Sequence, residues 1–347
     1  MNRDLILART AVVKAIRRFF DERGFTEMLT PRLIGLPGQE PYLEPFWTEV
    51  VRQDDSAHVP AALITSPEYA MKKLLSAGFD KIYDLGSCFR NEEPWDGSHD
   101  PEFLLLEWYR RDAGLEELLR DTEDMIRYVS RNTQHVAHIL PEAPFRRLTV
   151  AQAMKQYANL DLDTLLDNRE AMADAARAHG QTVTESDTWD DLFFKIFLSE
   201  VEPKLGWSSP SPSDLSRSEH REGEGRREVV PTFLTHYPAS MAALARRDEK
   251  DPRYALRTEL YIGDLELANG FAELADPVEQ RKRFEEEQAL RSRLGKKTWP
   301  IDERFIEALP GMGNAAGIAF GVDRLVMLLT GTSSISDLMP IPVRERF

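Results

Sequence analysis

Three groups of residues in this chain have types and spacings suited to chemistry. In Phe89-Arg90-Asn91-Glu92, Arg90 stands at the end of a strand-like run. An arginine there presents a planar fork of donors that fits a phosphate or a carboxylate, and it equally suits a surface ion pair. Along a second run, Phe103, Leu105, Glu107 and Tyr109 alternate and share one face, with Leu104, Leu106 and Trp108 on the other. A carboxylate and a phenol beside an aromatic ring suggest a ligand pocket; a satisfied core Glu–Tyr pair would use the same residues. Glu259 and Glu266 flank a turn at Gly263-Asp264, and Asn269, Gly270 and Glu273 follow. Both flanking carboxylates could reach a hard cation, since Mg²⁺ takes one or two carboxylates plus substrate phosphates. On spacing alone, metal or ligand binding and a plain structural role stay equally open. The last group, Gly317-Ile318-Ala319-Phe320-Gly321-Val322-Asp323-Arg324, combines small residues with an arginine near a helix start. It is neither the G-x-G-x-x-G fingerprint nor a Walker G-K-[ST] loop.

The elements that must position these groups are partly legible. Val12, Ile16, Phe19 and Phe20 recur at helical spacing, and Gly24 follows as a stop. Residues 25–33 read as extended, and 53–61 as a loop tip between two strands. Ser66-Pro67-Glu68 opens a helix, with Ser66 as N-cap and Pro67 at the first position. Strands over 81–90 and 103–110 flank a polar loop, 91–101, rich in turn residues. Helices are expected over 116–131 and 323–329, with a mostly helical insertion over 150–202. Residues 208–228 contain Ser209-Pro210-Ser211-Pro212-Ser213 and then charges and glycines. They can bury little apolar surface and read as a mobile loop.

Composition narrows the class. The 347 residues carry 44 Lys+Arg against 59 Asp+Glu, a net charge of −15 spread along the chain. That balance disfavours a partner recognised through many phosphates, tRNA included. Cys88 is the single cysteine, so an intramolecular disulfide and a cysteine-based zinc site are excluded. No apolar run approaches the ~20 residues of a membrane span. The N-terminus lacks a secretory layout, so a cytoplasmic location is expected.

Together the chemical groups resemble the three motifs of class II aminoacyl-tRNA synthetases. Residues 16–31, ending Phe25-Thr26-Glu27-Met28-Leu29-Thr30-Pro31, resemble motif 1. Phe89-Arg90-Asn91-Glu92, continuing through His99-Asp100-Pro101-Glu102-Phe103 to Glu107, resembles motif 2, and residues 317–324 resemble motif 3. The resemblance implies an α+β fold: one catalytic domain over 1–347, with a mainly antiparallel sheet flanked by helices. It also implies adenylate-forming chemistry with ATP and Mg²⁺. Thr65-Ser66-Pro67-Glu68, Glu107-Trp108-Tyr109 and the stretch from Glu266 to Leu274 are similar to the lysine-specific subgroup.

Carried over residue by residue, this resemblance makes Arg90 and Arg324 the catalytic pair. Arg90 holds the α-phosphate and the reacting carboxylate, and Glu92 reads the adenine amino group. Phe103 and Arg324 sandwich the ring, His99 lies near the terminal phosphates, and Glu259 and Glu266 hold Mg²⁺. Glu68 receives the α- or β-amino group of the substrate, Ser66 belongs to the same substrate-binding set, and Glu107, Tyr109 and Glu273 surround its distal ammonium. Asn269 lies near its carboxylate, and Ala319 forms the pocket floor. A cationic substrate leaving water needs such carboxylates. In-line attack on phosphorus needs positioning and charge neutralisation rather than a protein nucleophile.

Two features depart from the lysyl-tRNA synthetase pattern. Motif 1 begins within the first twenty residues, so no anticodon-binding domain is expected, and Ala319 replaces a motif 3 glycine. Both features resemble the elongation factor P–(R)-β-lysine ligase family, as do His236-Tyr237-Pro238-Ala239-Ser240, Pro300-Ile301-Asp302 and Ile306-Glu307-Ala308-Leu309. The implied activity is activation of (R)-β-lysine, or lysine, and transfer to a lysine side chain of elongation factor P. The alternatives are a minimal lysyl-tRNA synthetase or lysyl ligase with another acceptor, and a non-catalytic paralogue that senses lysine or nucleotide. Motif 1 implies a homodimer, with the residue 12–20 helix hiding its apolar face in a C₂ interface; a core-facing helix in a monomer would use the same residues. Asp100, where the family usually has asparagine, and the acidic, bulky loop before it bear on how an acceptor docks.

Overall fold

The computed structural model describes residues 2–54, 56–134, 136, 140–208 and 228–347. The expectation for 208–228 therefore lies outside the described residues apart from its two ends. The chain divides into two compact units, residues 1–138 with 269–347, and residues 139–268. In chain order, β1 (Thr26–Glu27), β2 (Leu33–Ile34), β3 (Trp47–Val51), β4 (His58–Leu63), β5 (Lys81–Phe89) and β6 (Glu102–Arg111) belong to the first. The second holds β7 (Arg146–Thr149), β8 (Thr232–Pro238) and β9 (Tyr254–Ile262); β10 (Leu265–Ala272) crosses the boundary, and β11 (Ala315–Gly321) belongs to the first unit.

In the first unit β6 is the centre. It pairs antiparallel with β5 on one side and with β11 on the other, and β1 extends β5 in parallel. The registers put Asp84, Glu107 and Ala319 in one row across three strands, and Ile82, Tyr109 and Gly317 in the next. Strand alternation sends this set to one face and Trp108 to the opposite one. On that opposite face Phe20, from the helix Arg3–Glu22, stacks on Tyr83 at 4.9 Å and lies 5.2 Å from Trp108. The helix Glu68–Ser76 is held by aromatic stacking of Tyr69 on Phe305, at 4.2 Å, and on Phe284, at 5.6 Å. A small antiparallel sheet, β2-β4-β3, completes the unit.

The second unit is also α+β. In it β7 runs parallel to β8, and β8 pairs antiparallel with β9. The expected helical stretch forms Val150–Ala158, Arg169–Ala178 and Trp189–Ile196, followed by a π-helical turn, Phe197–Val201. These bury Met154, Met172, Phe193 and Phe197 with Leu234, Tyr237 and Tyr261 of β8 and β9.

Several expectations need correction. Residues 25–33 form only two short strands, because Thr30 and Arg32 direct their polar groups to the buried carboxylate of Asp84 rather than to a ladder. Pro31 has no N–H to give. Of the expected loop 53–61, the last four residues belong to β4, where Val59 pairs Val50; the turn closes earlier, Arg52 N donating to Ala57 O at 3.1 Å. Pro67, not Ser66, takes the N-cap position, although Ser66 Oγ still accepts from Glu68 N at 3.0 Å. Val12, Ile16, Phe19 and Phe20 are buried within their own chain, so that face is not available to a second copy.

Candidate functional site

The first unit gathers most of the chemical residues on the β5-β6-β11 face. Glu107 projects from the middle of β6 and is fully buried. Ser66 Oγ donates to its Oε1 at 2.5 Å and Tyr109 OH to its Oε2 at 2.8 Å, so both oxygens are held by neutral donors. Burial pushes the Glu107 carboxyl above its ordinary range and the charge of Glu68 adds to this, against the two hydrogen bonds. Gly317, opposite Tyr109, has no side chain for a steric reason: a Cβ there would lie 2.1 Å from the Tyr109 ring and 2.8 Å from Glu273 Oε1. Gly270 likewise lets the backbone pass, since a Cβ would meet Ile318 at 2.8 Å.

Glu68 and Glu273 meet at Lys72, whose Nζ is 2.5 Å from Glu68 Oε1 and 2.6 Å from Glu273 Oε2. Burial raises Glu273 too, with Lys72 working against it. Burial also disfavours the charge on Lys72, but Glu273 and Glu68 outweigh it and hold its pKa above the ordinary lysine value. Glu273 Oε1 is buried and accepts no hydrogen bond among the described residues. Beside this group the half-buried Glu40 is pushed up to about 7 by burial and by Glu68, with Arg90 and Lys72 opposing. The loop that carries it is stapled by the buried Arg291, which donates to the carbonyls of Glu40, Pro41 and Leu43 and to the carboxylate of Glu44.

Ala319 packs with Leu105, Phe103 and Cys88 at the floor. Burial pushes the Cys88 thiol far up, which leaves it unsuited to nucleophilic work. At the loop after β5, the guanidinium of Arg90 lies over the Phe103 ring at 5.0 Å, and its buried Nε donates to nothing among the described residues. A buried donor of this kind is matched by an anionic ligand. Glu92 adopts a positive φ of 61° at the start of the same loop. His99 is drawn to Arg324, Nε2 and Nη2 being 3.1 Å apart, and its Nδ1 lies 3.0 Å from Asp96. Asp323, next to Arg324, accepts from Leu104 N at 2.8 Å and pairs with Arg9 at 2.6 Å, fixing the helix Val322–Thr330 to β6.

The loop is tied at two further points. Ile335 N donates to Gly97 O at 2.7 Å, and Arg346 pairs with both oxygens of the buried Asp100. The departure at Asp100 thus has a charged partner within the chain.

Glu259 and Glu266 lie in the second unit. Glu259 Oε2 accepts from Tyr261 OH at 2.7 Å and from Tyr237 OH, and its Oε1 from Arg257. Glu266 acts electrostatically on all three of those donors, so the two carboxylates share one neighbourhood. No group of three or more metal-ligating side chains occurs among the described residues. Two carboxylates nonetheless fit Mg²⁺ whose other ligands are phosphate oxygens and water.

Glu68, Glu107, Tyr109, Glu273 and Ser66, expected together from their types and positions, do converge, as do His99 and Arg324. Lys72, Glu40, Arg291 and Arg346 join them without being expected from the sequence. The four-residue spacing of Glu68 and Lys72 on one helix face was the available signal for the first. Asp302, singled out with Pro300 and Ile301, caps the helix Glu303–Met312 and pairs with Lys73.

The family model described as tRNA synthetases class II (D, K and N) matches residues 1–345. Among curated proteins, the elongation factor P–(R)-β-lysine ligase of Proteus mirabilis is 37% identical over 97% of this chain and 94% of its own length. Those of Photorhabdus laumondii and Yersinia enterocolitica are each 37% identical, over 98% and 97% of this chain and 95% and 94% of theirs.

Proposed function

Because the chain belongs to the class II tRNA synthetase family, and within it to the elongation factor P–(R)-β-lysine ligases, we propose that it joins (R)-β-lysine to a lysine side chain of elongation factor P, using ATP. The observation that carries the reading is the buried cluster of Glu68, Glu107 and Glu273, with one buried oxygen of Glu273 left without a partner among the described residues. Such a pocket suits an amino acid with a second ammonium group, because buried carboxylates favour cations.

In the first half-reaction a carboxylate oxygen of the amino acid attacks the α-phosphorus of ATP. A C–O–P linkage forms, the Pα–O bond to the β-phosphate breaks, and pyrophosphate leaves. Arg90, with its orphaned Nε, would steady the charge that builds on the α-phosphate. Glu92 would meet the adenine amino group, Phe103 and Arg324 its ring, and His99 the terminal phosphates. Glu259 and Glu266 would hold Mg²⁺, which neutralises phosphate charge when bound. Ser66 would orient Glu107, as it does here at 2.5 Å, and Asn269 would meet the substrate carboxylate. In the second half-reaction the ε-amine of the acceptor lysine attacks the adenylate carbonyl, an amide forms, and AMP departs with the carboxyl oxygen.

Ala319 puts a methyl where the lysyl-tRNA synthetase pattern has glycine, and this would change the room around the substrate backbone. A cytoplasmic location and a homodimer complete the reading. No helix among the described residues is long and apolar enough to cross a membrane. A dimer would form outside the four buried side chains of the first helix, and light scattering decides its presence. The decisive experiment is ATP–pyrophosphate exchange with (R)-β-lysine and α-lysine at equal concentrations, followed by mass analysis of elongation factor P. Preference for β-lysine and a mass gain on the factor are expected. Preference for α-lysine with an unmodified factor would move the assignment to another acceptor.

A further inference from the structure

Lys72 stands one helical turn after Glu68 on the helix Glu68–Ser76. Lysines on amphipathic helices usually run their stems along the surface and keep the ammonium in water. This one is 1% exposed, with its ammonium between Glu68 and Glu273. A fully buried ammonium is tolerated only with anionic partners. One of them comes from its own helix and the other from the segment just after β10, so a single cation ties two elements together. Each carboxylate turns one oxygen to Lys72. The second oxygen of Glu273 lies beside the Tyr109 ring over Gly317, buried and without a partner among the described residues. An acceptor left open in a dry pocket points to a ligand with a donor to give.

We propose that Lys72 is a positioning residue for the diamino-acid substrate: its ammonium is a resident counter-cation that fixes Glu68 and Glu273 so that the remaining oxygen of each faces the amino acid. The proposal rests on the functional reading above and deepens it. Lys72 acts through the two carboxylates and takes no part in bond making. Glu68 and Glu273 act on it directly and Glu40 interacts with it, while Arg90 acts on Glu40, Glu107 on Glu68, and Glu287 on both Glu40 and Glu68. Without the lysine, carboxylates crowded into one buried site repel, and one of them takes a proton. A protonated carboxyl is a poor partner for an ammonium group. A rival picture has Lys72 occupying the substrate's ammonium position and leaving on binding; it requires the opposite sign of effect.

The test compares wild type, K72M and K72R by pyrophosphate exchange, varying (R)-β-lysine at saturating ATP and then ATP at saturating amino acid. K72M is expected to raise KM for the amino acid about tenfold or more, with kcat and KM for ATP changing less than about threefold. K72R should recover part of the loss. In K72M the fall of amino-acid KM with rising pH should continue to higher pH than in wild type, since the carboxylates lose the cation that favours their ionisation. An unchanged or lowered amino-acid KM in K72M would overturn the proposal, the latter in favour of the rival. So would equal losses in every parameter. If K72M does not fold, K72R decides: it keeps the charge but moves it, so a rise in amino-acid KM alone supports the proposal and wild-type behaviour refutes it. Wild-type protein that exchanges with no diamino acid would instead sink the functional reading, and this proposal with it.

Discussion

Two buried glutamates, Glu107 in the first unit and Glu259 in the second, look alike on a strand diagram and differ in what holds them. Each sits inside a strand and accepts hydroxyl hydrogen bonds on its carboxylate. Glu107 receives Ser66 and Tyr109, both neutral, and burial pushes it up. Glu259 receives two tyrosines and also Arg257, so a cation is already at its side. The contrast separates two uses of one side chain. A buried carboxyl with only neutral donors resists ionisation until a cation arrives beside it. One with a resident arginine is held as part of a charged network.

The contrast breaks most visibly at Glu107. E107Q removes the group that would ionise against a cation and puts an amide N–H₂ where one of two donors now points. Exchange with the diamino acid should fall about 10³-fold in kcat/KM, with KM for ATP nearly unchanged, as steady-state kinetics would read. At the second glutamate, E259Q should leave the amino-acid KM alone and raise the Mg²⁺ concentration for half-maximal exchange about tenfold or more, seen in a metal titration. Equal effects of both variants on both ligands would erase the distinction.

The smallest effect is on stability against pH. A carboxyl raised in the folded protein keeps its proton where the unfolded chain has lost it. Stability therefore falls as pH climbs from the ordinary glutamate range through the raised value. For Glu40 that window closes at about 7, and Glu107 and Glu273 act in the same direction. Ligand-free protein should melt a few degrees lower at roughly pH 8 than at roughly pH 5.5, and E40Q should flatten part of that slope in thermal scans.

Motif-bearing strands were legible because their alternation and turn residues are local signals: Phe103 to Tyr109 put one face into the site as read, and Gly270 and Gly317 mark close backbone approaches. What escaped were residues whose role depends on distant partners. Lys72 and Arg291 carry no local pattern that marks them as interior, and each is buried because carboxylates or carbonyls far along the chain converge on it. The extended stretch 25–33 is broken into two short strands for the same reason, since Asp84 claims Thr30 and Arg32. Local pattern also assigned the first helix's apolar face to two environments at once, and only its packing against Tyr83 and Trp108 chose between them.

The pairing of Arg346 with Asp100 has a practical consequence for anyone handling the protein. The loop that follows Arg90 is moored to a residue in the last helical turn, Val343–Arg346. Replacing Arg346, or disturbing the turn that carries it, would loosen a loop that lies far away in sequence. Under the proposed function, losing that mooring would weaken the use of ATP while leaving that of the amino acid unchanged.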